Sequence, residues 1–304
     1  MDFYIHNNEL NKTSAVFRIR GPDANTYLQG QFTQDISGPI GAISYGLWLN
    51  QKGKILADSH VLRLAADEFL VISYSTTAPA LRERLESYLI ADDVTLQDET
   101  VQWERVVFAA GEGEFPPVGV ERPVAGRFLG LPSGALVFAG RWFGPGSCEL
   151  LVPLGGAPGI LDAMQSVGAT HADDSAANRH RILAGVPAIP ADLGPNDLPQ
   201  EGGLDEVAIS YTKGCFLGQE VMARIKNLGQ VRRALHIVRG RGPAPAASAS
   251  LYQTGQRVGE VRSVAPEGNG FVAMAMLSLV NYRPSQALGA TSDGAPDIEV
   301  LRRV

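Results

Sequence analysis

The stretch YTKGCFLGQEVMARIKNLGQVRRAL, Tyr211 to Leu235, changes character three times in 25 residues. It opens on a cysteine held between glycines, with Gly214 before Cys215 and Gly218 three residues after it. It then turns helical, because Val221, Ile225 and Leu228 recur at spacings of four and three, with Gln219 and Glu220 in the favourable first turn. Its basic tail runs into RALHIVRG, Arg233 to Gly240, which alternates as a strand. Strands and helices mix upstream of this stretch and only strands follow it, so its reading divides the chain and fixes the class as α+β.

Upstream, AVFRIR (Ala15–Arg20) alternates as a half-buried strand, and the spacing of Ala24, Tyr27, Leu28 and Ile36 predicts a helix over 22–36. GLWLNQKGKILADSHVLRL is expected to be a hairpin turning at Asn50 to Gly53, followed by the strand FLVISY and a helix over 79–90. A second pass of the same kind starts near Val101: VQWERVVFAAG, ALVFAG and CELLVP read as strands, and 159–167 and 175–184 as helices. The repeated order predicts two related halves sharing a core. After Arg241, GPAPAASAS cannot continue a sheet interior, and the short strands beyond it read as a small antiparallel barrel or sandwich.

Composition narrows the function classes. The chain has 304 residues, with 26 basic and 32 acidic side chains and a formal net charge of -6, which argues against wholesale binding to nucleic acid or an anionic membrane. No apolar run reaches the ~20 residues of a bilayer span, and MDFYIHNNELNKTS does not read as a leader, so a cytoplasmic location is expected. The two cysteines, Cys148 and Cys215, cannot supply the four thiolates of a cluster or structural zinc site, and the five histidines show no ligand spacing. No metal site is expected. There is likewise no phosphate loop of the Walker type and no dinucleotide fingerprint.

Cys148, alternating within CELLVP, reads as core. The local pattern leaves two readings of Cys215 open. A lone cysteine is often a buried structural residue. A thiol just ahead of a helix N-terminus and beside Lys213 is also placed for a stabilised thiolate. From Lys213 to Arg241 seven basic residues face one acid, Glu220, which makes a local rim for carboxylates or phosphates.

KGCFLGQE (Lys213, Gly214, Cys215, Phe216, Leu217, Gly218, Gln219, Glu220) resembles the K-G-C-[YF]-x-G-Q-E signature of the YgfZ family, folate-binding relatives of the glycine-cleavage T-protein that support iron-sulfur enzymes. IRGPDANTYLQGQFTQDI, GKILAD, LAGVPAIPAD and LPQEGGLDEVAISYTKGC resemble further segments of that family across nearly the whole chain. The resemblance implies a ring-like folate-binding region of two ferredoxin-like halves, about 1–100 and 101–230, and a C-terminal β-barrel over 231–304. It implies tetrahydrofolate or a derivative as ligand and iron-sulfur enzymes or cluster-assembly proteins as partners. Cys215 and Asp58 are the expected reacting groups. Asp58, Arg181, Lys213, Gln219, Glu220 and Arg224 are the expected folate contacts, Asp58 and Arg181 by their match to T-protein motifs.

The chain departs from the T-protein in ways that count against aminomethyl transfer. Pro145 stands where a pterin-binding glutamate is expected, with Glu149 in the motif's second acidic position, Ala57 precedes Asp58, and Leu183 replaces the motif glutamate after Arg181. A tetrahydrofolate-dependent aminomethyl or methyl transferase is therefore the alternative reading. The family's link to tRNA modification is expected to be indirect, since the acidic net charge disfavours direct binding of nucleic acid.

Overall fold

The computed structural model describes residues 2–6, 14–109, 123–144, 146–166, 168–294 and 297–304; Pro145 lies outside them. Three sheets carry the architecture. The first contains β2 (Ala15–Arg20), β3 (Ile43–Leu49), β4 (Ile55–Arg63), β5 (Glu68–Ser73) and β6 (Thr95–Asp98) in the order β3-β4-β5-β2-β6, all antiparallel. Helices α1 (Ala24–Gln31) and α2 (Ala78–Glu86) cover one face through Tyr27, Leu28, Leu81 and Leu85, which pack on Phe17, Ile19, Trp48 and Val71.

The second sheet begins with β1 (Asp2–His6), which lies between β7 (Trp103–Ala109) and β11 (Thr170–His171), so the first residues of the chain pair with its middle. β10 (Ser147–Pro153), β9 (Leu136–Ala139) and β8 (Phe128–Gly130) complete it, with α3 (Ala157–Ser166) outside. Phe108, Cys148, Leu150 and Met164 fill the core beneath α3, and Cys148 is buried there. The opposite faces of the two sheets meet through Val16, Ile43, Leu62, Leu70, Ile72, Phe138 and Leu151.

α4 (Asp174–Ala184), the four-residue α5 (Asp205–Ala208) and α6 (Gln219–Leu228) lead to a third sheet of β12 (Arg233–Arg241), β13 (Ser250–Gln253), β14 (Gln256–Glu267), β15 (Gly270–Ser278) and β16 (Ile298–Arg303). Its order is β13-β14-β15-β12-β16. The expected barrel is not closed by direct pairing of its edges. Instead, Leu288 and Gly289 bridge the gap, Gly289 to Tyr252 of β13 and Leu288 to Ile298 of β16.

One further expectation is revised. The first helix stops at Gln31 instead of reaching Ile36, because Phe32 turns extended and the carbonyls beyond the helix end are taken up by a side chain from far along the sequence. That side chain is Lys213.

Candidate functional site

Strand parity and one bulge place Asp58. Leu49 pairs with Ile55 and Trp48 with Ala57, so the extra residue Leu56 resets the alternation. Ala57 and Val61 then face the helices, while Asp58, His60 and Leu62 face the second sheet. Asp58 is 4% exposed. Its Oδ2 accepts from the Tyr45 hydroxyl at 2.9 Å, and its own carbonyl accepts from Ser73 Oγ at 2.6 Å. Its Oδ1 is buried without a hydrogen-bond partner among the described residues.

The second sheet answers with charges of its own. Glu149 of β10 is fully buried, and its Oε1 accepts from the Arg141 backbone N–H at 3.1 Å. Gly140 makes that possible, since a Cβ there would lie 2.3 Å from the Glu149 carboxylate. Arg105 of β7 is 2% exposed, with its guanidinium carbon 4.2 Å from the Tyr74 ring centroid and 5.3 Å from that of Trp142. Among the described residues none of its three guanidinium nitrogens has a hydrogen-bond partner, and neither do Glu149 Oε2 and Trp142 Nε1, although Glu149 lies close enough to Tyr74 to help raise the phenol. A buried polar group left unpaired costs ~1–3 kcal/mol, so this cluster is a place where stability has been given up.

Burial shifts the titrations. Asp58 is pushed up to about 6, mainly by desolvation, against the lowering effects of the Tyr45 hydrogen bond and the Arg141 and Arg105 charges. His60 is pushed down to about 3 by burial and by the same two arginines, so it is neutral where Tyr74 OH meets its Nδ1. Burial raises both Tyr45 and Tyr74 well above the ordinary phenol range. Asp58 is thus a carboxyl able to hold or release a proton near neutrality.

Tyr45, Asp58, Tyr74, Arg141, Trp142 and Val186 line an enclosed cavity of about 10 Å³, room for one water. Arg141 and Val186 also line an open hollow of about 300 Å³ with Gly140, Gly144, Ala184 and Gly185. The Arg141 guanidinium, 3.9 Å over the Tyr45 ring, therefore stands between the two. The donor and acceptor set fits a pterin-like heterocycle. The enclosed volume does not, since about 10 Å³ is far below the ~300 Å³ from which ligand pockets run; the open hollow beyond Arg141 is of that size. A further hollow, about 700 Å³, lies on the third sheet, where Arg239 and Glu267 are paired with each other at 2.7 Å.

Arg181 of α4 lies behind this wall. Its Nη1 donates to Asp192 Oδ2 and to the Val186 carbonyl, both at 2.6 Å, and its Nε and Nη2 donate to Asn178 Oδ1. Asp192 also accepts from the Ala188 and Ser263 amides. Arg181 is thus spent on protein groups and holds the 186–189 segment that walls the cavity.

The signature loop is assembled elsewhere. Lys213 Nζ donates to the carbonyls of Gln29, Phe32 and Gln34 at 2.7, 2.6 and 3.1 Å, and burial pushes its pKa down to about 8 against the pull of Asp35. Its ammonium therefore caps the end of α1. Phe216 is buried in the core with Leu49, Ile55 and Met222. Gly218 caps α6 at φ +85, where a Cβ would sit 2.9 Å from the Asn50 carbonyl of the β3–β4 turn. Gly214 and Cys215 are exposed, as are Glu220 and Arg224, while Gln219 is half-buried. Cys215 does not line the Asp58 cavity. The β3–β4 hairpin joins the two places: its turn packs on α6, and Asp58 lies ~15 Å further along the strand.

The structure thus brings Asp58 together with residues that sequence reasoning passed over, namely Tyr45, His60, Tyr74, Arg105, Arg141 and Trp142. One signal was available, the arginine that precedes the apolar run VVFA in the strand WERVVFA. Among the described residues no group of three His, Cys, Asp or Glu gathers as a metal site, and no helix is long and apolar enough to cross a membrane.

The chain is similar to known proteins in sequence and in fold. A family model described as the GCVT N-terminal domain matches residues 11–109. The mouse (Mus musculus) protein named iron-sulfur cluster assembly factor IBA57, mitochondrial, is 30% identical over 288 residues, 86% of this chain and 75% of the mouse protein. A tRNA-modifying protein YgfZ of Klebsiella pneumoniae is 29% identical over 240 residues, covering 74% of this chain and 69% of that protein. Among solved structures, glycine cleavage system aminomethyltransferase T from Bartonella henselae superposes with a TM-score of 0.76 at 18% identity, over 94% of this chain and 80% of that one. At that identity the likeness is one of fold.

Proposed function

Because this chain belongs to the family of the IBA57 and YgfZ proteins, we propose that it is a folate-binding factor supporting assembly or repair of iron-sulfur clusters in partner enzymes. The observation that carries the reading is the set of buried, unpartnered charges between the first two sheets. Asp58, Glu149 and Arg105 offer acceptors and donors that a pterin ring can satisfy, and Arg141 covers the entry. Bound there, tetrahydrofolate or a derivative would supply one-carbon or redox chemistry. This reading takes 1–230 as the folate-binding region, built of two related ferredoxin-like halves that close into a ring, and 231–304 as an appended barrel-like β unit.

In this reading Cys215 serves the partner, not the folate, because it opens to solvent on a loop whose backbone is pinned by Lys213 and Gly218. Gln219, Glu220 and Arg224 follow it in α6 and form a docking edge instead of folate contacts. The partners are iron-sulfur enzymes or cluster-assembly proteins, a tRNA-modification phenotype follows indirectly from failing iron-sulfur enzymes, and the site of action is the cytoplasm.

The test is replacement in cells lacking this protein, reading the activity of an iron-sulfur enzyme. Cys215→Ser and Asp58→Asn are expected to lose support while the purified variants keep a cooperative thermal transition. Full support by Cys215→Ser would remove the thiol from the function.

One observation favours a second reading. A carboxyl titrating at about 6 is suited to general acid–base work, as a folate-dependent aminomethyl or methyl transferase requires. Purified protein given tetrahydrofolate and methylamine donors should then turn over, and Asp58→Asn should stop it. Absence of turnover with any donor leaves the maintenance role.

A further inference from the structure

The cations that follow Lys213 in the sequence have no part in the inter-sheet cavity, and two elements gather some of them on one surface. The β3–β4 turn, Asn50 to Gly53, is pressed on the start of α6, since a Cβ at Gly53 would lie 2.6 Å from Met222 Cε and 3.0 Å from Val221 Cγ1. Val221, Met222 and Ile225 form the inward stripe of α6. Arg224 and Lys226 therefore leave the helix at the two edges of its outer face, with Ala223 and Asn227 between them. Lys52 stands exposed in the turn, whose backbone is held by Asn50 Oδ1 accepting from the Lys52 and Lys54 amides at 2.9 and 3.0 Å. Beside it, Lys54 Nζ and Arg233 Nη2 share the Asn196 carbonyl at 3.0 and 2.8 Å.

Several exposed arginines elsewhere are answered by a carboxylate: Arg20 by Glu68, Arg82 by Glu86, Arg239 by Glu267 and Arg257 by Glu260. Among the described residues no carboxylate pairs with Lys52, Arg224 or Lys226. Lys226 lies instead 3.8 Å over the Tyr211 ring, and Glu220 is the acid exposed on α6. In a chain of net charge -6, an unpaired basic face on a tightly packed platform attracts an acidic partner while the remaining surface repels it, which orients the encounter. A protein fits this face better than a nucleic acid. Single strands stack their bases on exposed aromatic rings, and here Lys226 covers Tyr211 and Phe216 is buried. We infer that the outer face of α6 and the β3–β4 turn dock an acidic protein surface, with Lys52, Arg224 and Lys226 as the cationic contacts. The inference rests on the partner-support reading above, to which it adds the charge of the partner and the contribution of the turn.

Poly-L-glutamate is the probe, read by fluorescence anisotropy against the full chain, with a single-stranded RNA of equal charge beside it. Wild type should bind poly-L-glutamate and lose at least ~10-fold in affinity as salt rises from ~50 to ~200 mM. A variant carrying Lys52→Glu, Arg224→Glu and Lys226→Glu should bind at least ~10-fold more weakly than wild type. A second, carrying Arg239→Glu, Arg257→Glu and Arg283→Glu, makes the same change of net charge around the third sheet and should stay within ~3-fold. Thermal melts check both folds; should the first variant not fold, Lys52→Gln with Arg224→Gln replaces it, with an expected loss of at least ~3-fold. Equal loss in the two variants, no binding of poly-L-glutamate by wild type, or tighter binding of the RNA overturns the inference. The same variants are then placed in cells lacking this protein, reading the activity of an iron-sulfur enzyme. Loss of support with the first variant alone is expected, and full support by it overturns the inference while the partner-support reading stands. Cells lacking the protein that show no iron-sulfur defect sink that reading itself.

Discussion

The pocket between the first two sheets and the loop carrying Cys215 treat their charged groups in opposite ways. Between the sheets, Asp58, Glu149 and Arg105 are buried with hydrogen-bonding atoms unmet. On the loop, Lys213 is buried with three carbonyls on its ammonium, and the Cys215 side chain stands outside. The first pattern costs stability; the second adds stability and leaves a thiol in the open. Arg181 belongs with the second pattern, although its position in the fold is next to the first.

The comparison breaks most visibly at Arg181. Its side chain and that of Asp192 are 3% and 0% exposed, so Arg181→Ala strands a buried carboxylate and should cost about 3–5 kcal/mol in urea unfolding. A loss of under ~1 kcal/mol would return Arg181 to the ligand side of the comparison.

Lys213 comes next. Removing its ammonium leaves the carbonyls of Gln29, Phe32 and Gln34 unmet, and Lys213→Met should destabilise by about 3 kcal/mol. A variant as stable as wild type would mean that the loop is not pinned there.

Asp58 is predicted to behave in the opposite sense. Its folded pKa, about 6, lies above the ordinary value of 3.8, so the folded protein binds more protons than the unfolded chain between those values. Stability from this group is full below pH ~4 and is lost as pH rises through ~6, a loss of about 3 kcal/mol. Asp58→Asn, which cannot ionise, should therefore be more stable than wild type at pH 8 by up to about 3 kcal/mol and equal to it at pH 4. Parallel stability–pH curves for the two would contradict the assigned burial.

Smaller effects sharpen the loop. Gly218→Ala puts a Cβ against the Asn50 carbonyl at φ +85 and should cost about 1–2 kcal/mol. Cys215→Ser, at an exposed position, should stay within about 0.5 kcal/mol of wild type.

The two regions were also unequally legible in the sequence. The signature loop could be read locally, because Gly218 and the spacing of Val221 and Ile225 mark a helix start and its buried face. The destination of Lys213 could not, since its partners lie 179 to 184 residues away. The strands around Asp58 were visible from alternation, but the bulge at Leu56 that decides which face Asp58 takes has no signature in apolar spacing. Arg105, Glu149 and Tyr74 meet only because two sheets pack face to face, a relation that no single segment encodes. The third sheet was foreseen as strands, whereas the contacts of Leu288 and Gly289 with its two edge strands are isolated bridges that leave it short of the expected barrel.

The central claim, that the unmet charges between the sheets are a folate site, is tested most directly by calorimetric titration of 5-formyltetrahydrofolate into wild type and Glu149→Gln. Saturable one-to-one binding by wild type, weakened at least ~10-fold in the variant, is the predicted result. Absence of binding by wild type, or equal binding by both, would contradict it.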